Sequence, residues 1–213
     1  MPRRNHTGRY TRSVDLEVFP MTAITPPRMT PTAVRILDTA EVLFYLHGLR
    51  AVGVERIAEE AETTKKTIYD RFGSKDGLIT AYLAQRRDRW HAYALAFVDR
   101  HEPDPGAARV LALLRALDSW MDDNARGCGF VNAYAELAGT GHAGLSIIAD
   151  EKQWTRDYYV ELLTEAGIAD PQRRGRELAL VHEGVVVQLT AGAQPHAMAD
   201  ARSLAGRIVG PWP

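Results

Sequence analysis

Apolar residues recur along this chain at helical spacing and almost nowhere at the alternating spacing of a strand. From Pro31, the positions Ala33, Ile36, Leu37, Ala40, Leu43 and Phe44 fall on one stripe that stops at Gly48. Thr30 is a good N-cap for this helix and Pro31 suits its first position. A short second helix carries Val54, Ile57, Ala58 and Ala61 on one face, and Thr63-Thr64 interrupts it. A third short helix runs to about Phe72. Gly73 breaks it and Ser74 caps a long helix with Leu78, Ile79, Tyr82, Leu83, Trp90, Tyr93 and Phe97 on one side.

The second half continues in the same style. Asp104-Pro105 and Asp170-Pro171 each read as an N-cap followed by proline at the first helical position. Val110, Leu111, Leu114, Leu117 and Met121 predict one amphipathic helix. A turn at 126–129, a short helix at 130–138 and a loop at 139–144 follow. Three long helices are predicted over about 145–166, 171–191 and 196–209. The run Val185-Val186-Val187 has strand propensity, but a lone strand in a helical chain has no partner, so it is read as helix. The pattern predicts an all-α fold of about nine helices.

Residues 1–28 show neither period. Arg3, Arg4, Arg9 and Arg12 precede the first acid, Asp15, and Pro20, Pro26 and Pro27 break any element. This segment reads as a disordered basic tail able to reach DNA phosphates or a minor groove. The other reading is an extension upstream of a start at Met21 or Met29. The chain's net charge of −1 conceals an asymmetry: +4 over residues 1–100 and −5 over 101–213. A basic first half suits a polyanion. No apolar run approaches the roughly 18 residues of a membrane span, and no signal peptide is visible. One cysteine, Cys128, excludes an intrachain disulfide, which fits a reducing compartment. A cytoplasmic protein with no membrane partner is expected.

Two short helices joined by a tight turn and supported by a third form a helix-turn-helix, whose second short helix enters the major groove. Here that helix begins Thr64-Lys65-Lys66-Thr67, with Tyr69 one turn on. Thr63, Thr64, Lys65, Lys66, Thr67, Tyr69 and Lys75 are the candidate DNA-contacting residues: hydroxyls and ammonium groups reach phosphates and base edges. Between Thr63 and Lys75, four bases face one acid, Asp70. Ile68 and Phe72 are expected to face inward.

The stretch TTKKTIYDRFGSKDGL, Thr63 to Leu78, and the upstream IAEEAETT resemble the recognition helix, turn and following helix of the TetR family of bacterial repressors. RGCGFVNAYAEL, from Arg126 to Leu137, resembles a sixth-helix motif of many relatives. One departure is Glu62, at a turn position where relatives usually carry glycine, the residue that takes positive φ without steric cost. The resemblance implies three parts: a tail (1–28), a helix-turn-helix domain (29–75) and an effector-binding and dimerisation domain (76–213). It implies a homodimer on a palindromic double-stranded operator, with the last two helices packed against their mates. Leu178, Val181, Val185, Leu189, Leu204 and Ile208 are the candidate interface residues. It also implies an unidentified small-molecule effector that tilts the helix beginning at Ser74 and separates the recognition helices. The aromatics and histidine of the middle helices, Trp120, Tyr134, His142, Trp154 and Tyr158, are the candidate effector contacts.

Other signals are weaker. Gly139 to Gly144 matches G-x-G-x-x-G by letter, but a dinucleotide site needs a preceding strand and a helix precedes it here. His182-Glu183 begins an H-E-x-x-H pattern that Val186 breaks. No metal ligand set, cofactor site or catalytic set is apparent, and the acid pair Asp122-Asp123 reads as a solvated helix end. Cys128 has no visible activating context and reads as an inert thiol. The function expected is a sequence-specific DNA-binding transcriptional regulator, a repressor released by its effector. The alternatives are a non-specific DNA-binding or scaffold protein and, further off, an enzyme.

Overall fold

The computed structural model describes residues 29–122 and 126–210. The basic tail and Asp123 lie outside the described residues. Nine helices follow in order among those described: α1 (Pro31–His47), α2 (Val54–Glu60), α3 (Lys65–Phe72), α4 (Lys75–His101), α5 (Ala107–Asp122), α6 (Gly129–Leu137), α7 (Gly144–Glu165), α8 (Pro171–Thr190) and α9 (Ala197–Val209). The Val185–Val187 run is helical, inside α8.

The caps of α1, α3 and α4 are those the sequence encodes. Thr30 accepts from the N–H of Ala33, Thr64 from that of Thr67, and Ser74 from that of Gly77. Two predicted caps differ. α5 begins at Ala107, past Pro105, because the first carbonyl to accept a helical N–H is that of Gly106, from Val110. Asp170 precedes Pro171 as expected, but its backbone is left-handed at φ 55° and its carboxylate makes no cap bond. That carboxylate instead binds Arg173 Nε at 2.6 Å.

Two apolar cores are threaded by one helix. The first joins α1, α2 and α3 to the N-terminal half of α4 through Ile36, Phe44, Ile57, Ile68 and Tyr82. It continues into Phe130, Ala133 and Ile148 of α6 and α7. The second joins the C-terminal half of α4 to α5, α7, α8 and α9 through Trp90, Leu113, Tyr159, Leu162 and Leu178. α4 is therefore a shaft with one end in each core. None of the helices is long and apolar enough to cross a membrane among the described residues.

Candidate DNA interface and effector cavity

α3 has only eight residues, too few to stand alone in water. Three things hold it. Thr64 caps it at 3.1 Å. Ile68 is completely buried under it. The α2–α3 turn fixes its direction. In that turn Glu62 takes φ 48°, Thr63 N donates to Ala58 O and Glu62 N to Glu59 O, the pairing of a Schellman C-cap. Glu62 thus sits where glycine is favoured, at the steric cost of a left-handed side-chain residue. Arg35 of α1 donates from Nε to Ala61 O at 2.8 Å and ties the turn to the scaffold.

The outer face of α3 presents the predicted residues together. Thr64, Lys65, Lys66 and Tyr69 are exposed, and Thr63, Thr67 and Lys75 are partly so. Each lysine has an exposed acidic neighbour. Lys65 Nζ lies 3.0 Å from Glu55, and Lys66 Nζ lies 2.7 Å from Asp70. The hydrogen bond from Lys65 holds the Glu55 carboxyl below its ordinary range and raises the Lys65 ammonium. Both lysines are solvated, and each ion pair lies on the exposed face of the turn and helix. Lys75 is set back and reaches Arg50 O at 3.5 Å.

A second site lies further along α4, where Arg86 interrupts the buried apolar stripe. Arg86 and Trp90 of α4, Trp120 of α5, Cys128 before α6, Lys152 of α7 and His182 of α8 are among the residues that enclose a cavity. Its space is about 430 Å³ with the mouth included, of which about 40 Å³ admits the centre of a water molecule. Trp90 and Trp120 meet edge to face at 5.5 Å along one side. On the other, Lys152 Nζ contacts Glu151 at 3.0 Å, Glu183 at 2.9 Å and Cys128 Sγ at 3.4 Å. Burial opposes the Lys152 charge, but the neighbouring Cys128, Glu151 and Glu183 outweigh it and push its pKa up. Burial raises the Glu151 carboxyl. Burial, then the nearby Lys152 charge, pushes His182 down to about 3, so its imidazole is neutral.

The cavity wall is bound to the DNA-binding end. Arg86 Nη1 lies 3.5 Å from Glu41 Oε1 of α1, and its guanidinium sits 4.6 Å over the Tyr45 ring. Tyr45 Oη donates to Gly127 O at 3.0 Å, and Arg126 donates to Tyr45 from both backbone and side chain. Gly129 is required beside this link: a Cβ there would come within 2.5 Å of Arg86 Nε. A second tie joins α6 to the α1–α2 loop, where Glu136 accepts from the N–H groups of Leu49 and Arg50, both at 2.8 Å.

Of the five candidate effector contacts, the structure places Trp120 on the cavity. Tyr134 is 55% exposed on α6. His142 lines a separate surface groove beside Lys75 and Asp76. Trp154 stacks on His91 at 3.7 Å and on Tyr158 at 5.1 Å, away from the cavity. Arg86, Glu151, Lys152 and His182 were not foreseen. The available signal was a polar residue at a stripe position, as Arg86 lies between Leu83 and Trp90 and His182 between Leu178 and Val185. The candidate interface residues also divide. Leu178 and Val185 fill the chain's own core, and Val181, Leu189 and Ile208 pack partly against it. Leu204 is exposed, and the open face of α8 instead carries Leu180, 74% exposed, and Val187, 49% exposed. The glycine loop 139–144 follows α6, and among the described residues no strand precedes it and no group of three metal-ligating side chains exists.

Comparison with known proteins supports the helix-turn-helix directly. The description "Bacterial regulatory proteins, tetR family" matches residues 36–82. SCO4454, a TetR-family transcriptional regulator from Streptomyces coelicolor, is 30% identical, with 84% of this chain and 94% of that one superposed at a TM-score of 0.76. The chain belongs to the TetR family. As a TetR-family member it is a DNA-binding transcriptional regulator and not an enzyme. It is also similar to the HTH-type transcriptional regulator YjdC of Escherichia coli, 24% identical over 72% of this chain and 81% of that one. The uncharacterized HTH-type regulator YvkB of Bacillus subtilis is 44% identical over 57 residues, a match spanning 30% of that protein. The fold alone is shared with a TetR regulatory protein of Rhodobacter sphaeroides, 18% identical at a TM-score of 0.71. TetR-family regulators bind DNA and act as dimers.

Proposed function

We propose that this TetR-family regulator is a repressor that leaves a palindromic operator when a small molecule enters the cavity beside Arg86. The observation that carries this reading is the link between that cavity and α1 through Arg86, Glu41 and Tyr45. The cavity is tight as it stands, so an occupant must press its walls outward. Two of those walls, Arg86 and the 126–129 segment, are among the groups that hold α1. A ligand that binds the expanded state better than the tight one shifts the population between them, and only that difference drives release. Residues 29–75 then act as the DNA reader, with Thr63, Thr64, Lys65, Lys66, Thr67, Tyr69 and Lys75 on the duplex. Residues 76–213 act as the sensor and dimer body.

The open stripe Leu180, Gly184 and Val187 on α8, with Leu204 on α9, supports a seam between two copies. A Cβ on Gly184 would meet nothing within 4 Å, so a partner helix can approach closely there. An experiment on the full chain tests the reading. Duplexes selected from a random pool should converge on a palindrome whose half-sites lie about one helical turn apart. Each should bind two chains or a multiple of two. Equal affinity for random and selected duplexes would replace this reading with non-specific binding.

A further inference from the structure

The polar wall of the cavity leaves few groups free to meet a ligand. Lys152 donates to Cys128 and Glu183 and pairs with Glu151 by charge. Glu151 accepts from the Thr155 hydroxyl at 3.1 Å on Oε1, while Oε2 lies 3.0 Å from Lys152 Nζ as an ion pair without hydrogen-bond geometry. Arg86 faces Glu41 and Tyr45. His182 differs. It is 4% exposed, borders the cavity, and its Nδ1 lies 3.1 Å from the hydroxyl of Tyr159, which is 1% exposed. That ring nitrogen is the hydroxyl's one hydrogen-bond partner among the described residues. A buried phenol hydrogen without an acceptor is costly, so Tyr159 donates and Nδ1 accepts. The imidazole is neutral, so its proton sits on Nε2. Nε2–H has no partner among the described residues.

We propose that the cavity selects a neutral, single-ring aromatic molecule with a hydrogen-bond acceptor, such as an aromatic carbonyl, that takes the Nε2–H of His182. This rests on the cavity being the effector site. The tryptophan pair and Phe130 supply the aromatic walls, and the small space favours one ring over several. Charge narrows the class. The charged wall residues, Arg86 and Lys152 against Glu151 and Glu183, sum to zero, which favours neither a carboxylate nor an ammonium ligand. An ammonium ligand would meet Lys152 itself and a histidine edge that donates where an acceptor is needed.

The test uses the full chain and four probes of matched shape: acetophenone, benzoate, benzylammonium and ethylbenzene. Calorimetric titration and melting temperature both report binding. Acetophenone should bind most tightly, about tenfold better than ethylbenzene, the upper worth of one net hydrogen bond. The paired substitution His182→Phe with Tyr159→Phe removes donor and phenol together and should erase that tenfold. Tightest binding by benzoate or benzylammonium overturns the proposal, as does equal binding of acetophenone and ethylbenzene in the unmodified chain. Ethylbenzene binding without that preference leaves the cavity as effector site and removes only the acceptor rule. No binding by any of the four removes both.

Discussion

Replacing Lys65 and Lys66 by alanine tests the recognition surface through salt. A dimer presents two copies of each, four ammonium groups in all. Each phosphate contact contributes about 0.9 to the slope of log K against log salt. Losing all four should flatten the slope by about 3.6. Between about 50 and 200 mM salt that difference amounts to roughly a hundredfold in relative affinity. The ion pairs broken are exposed ones, with Glu55 and Asp70, and such pairs are screened and add little to folding. The melting temperature should therefore hold while the slope changes. Fluorescence anisotropy of a labelled operator across a salt series gives the number. An unchanged slope would refute the assignment of these lysines to phosphates. Glu55→Gln alone should strengthen binding, because it frees Lys65 of its competitor.

Glu62→Gly should stabilise the fold by about 1 kcal/mol, read by urea titration, since it relieves a left-handed side-chain residue; destabilisation would place the strain elsewhere. Leu180→Glu with Val187→Glu should give a folded monomer by sedimentation, whereas Val185→Glu, in the chain's own core, should fail to fold. A dimer that survives the first pair would move the seam off this face of α8. Acidification should destabilise the protein, because His182 stays neutral down to about pH 3 when folded and takes a proton near 6.5 when unfolded. The unfolded state thus binds more protons between those values, and stability falls as pH drops through that window. By pH 5 the loss from His182 is on the order of 2 kcal/mol, and the His182→Phe/Tyr159→Phe pair should remove it.

The DNA-reading end was legible in the sequence because its determinants are local. Thr30, Thr64 and Ser74 cap the helices they precede, and Ile68 with Phe72 forms the apolar side of a helix whose other residues are polar or amphipathic. Each cap acts within four residues of itself, and the apolar pair lies at helical spacing. The cavity was not legible for the opposite reason. Arg86 meets Glu41 across 45 positions, and Lys152 meets Cys128 across 24. No spacing rule brings such pairs together before the helices pack. Aromatic content pointed to the middle helices, but aromatic residues fill cores as readily as they line sites. Trp154 and Tyr158 stack within such a layer, and Trp120 alone of the five candidates borders the space. Likewise, apolar residues on α8 outnumber what one face needs. Only packing shows that Leu178 and Val185 turn inward while Leu180 and Val187 turn out.

The chain's single cysteine permits the most direct test of coupling between cavity and operator. Cys128 lies on the cavity wall, so alkylation with N-ethylmaleimide places one compact group there. Mass spectrometry can establish one adduct per chain, and circular dichroism can establish that the helices persist. Such an occupied dimer should bind the selected operator at least tenfold more weakly than the unlabelled protein, with Cys128→Ala treated identically and unaffected. Stoichiometric labelling of a folded dimer that leaves operator affinity unchanged would contradict the account.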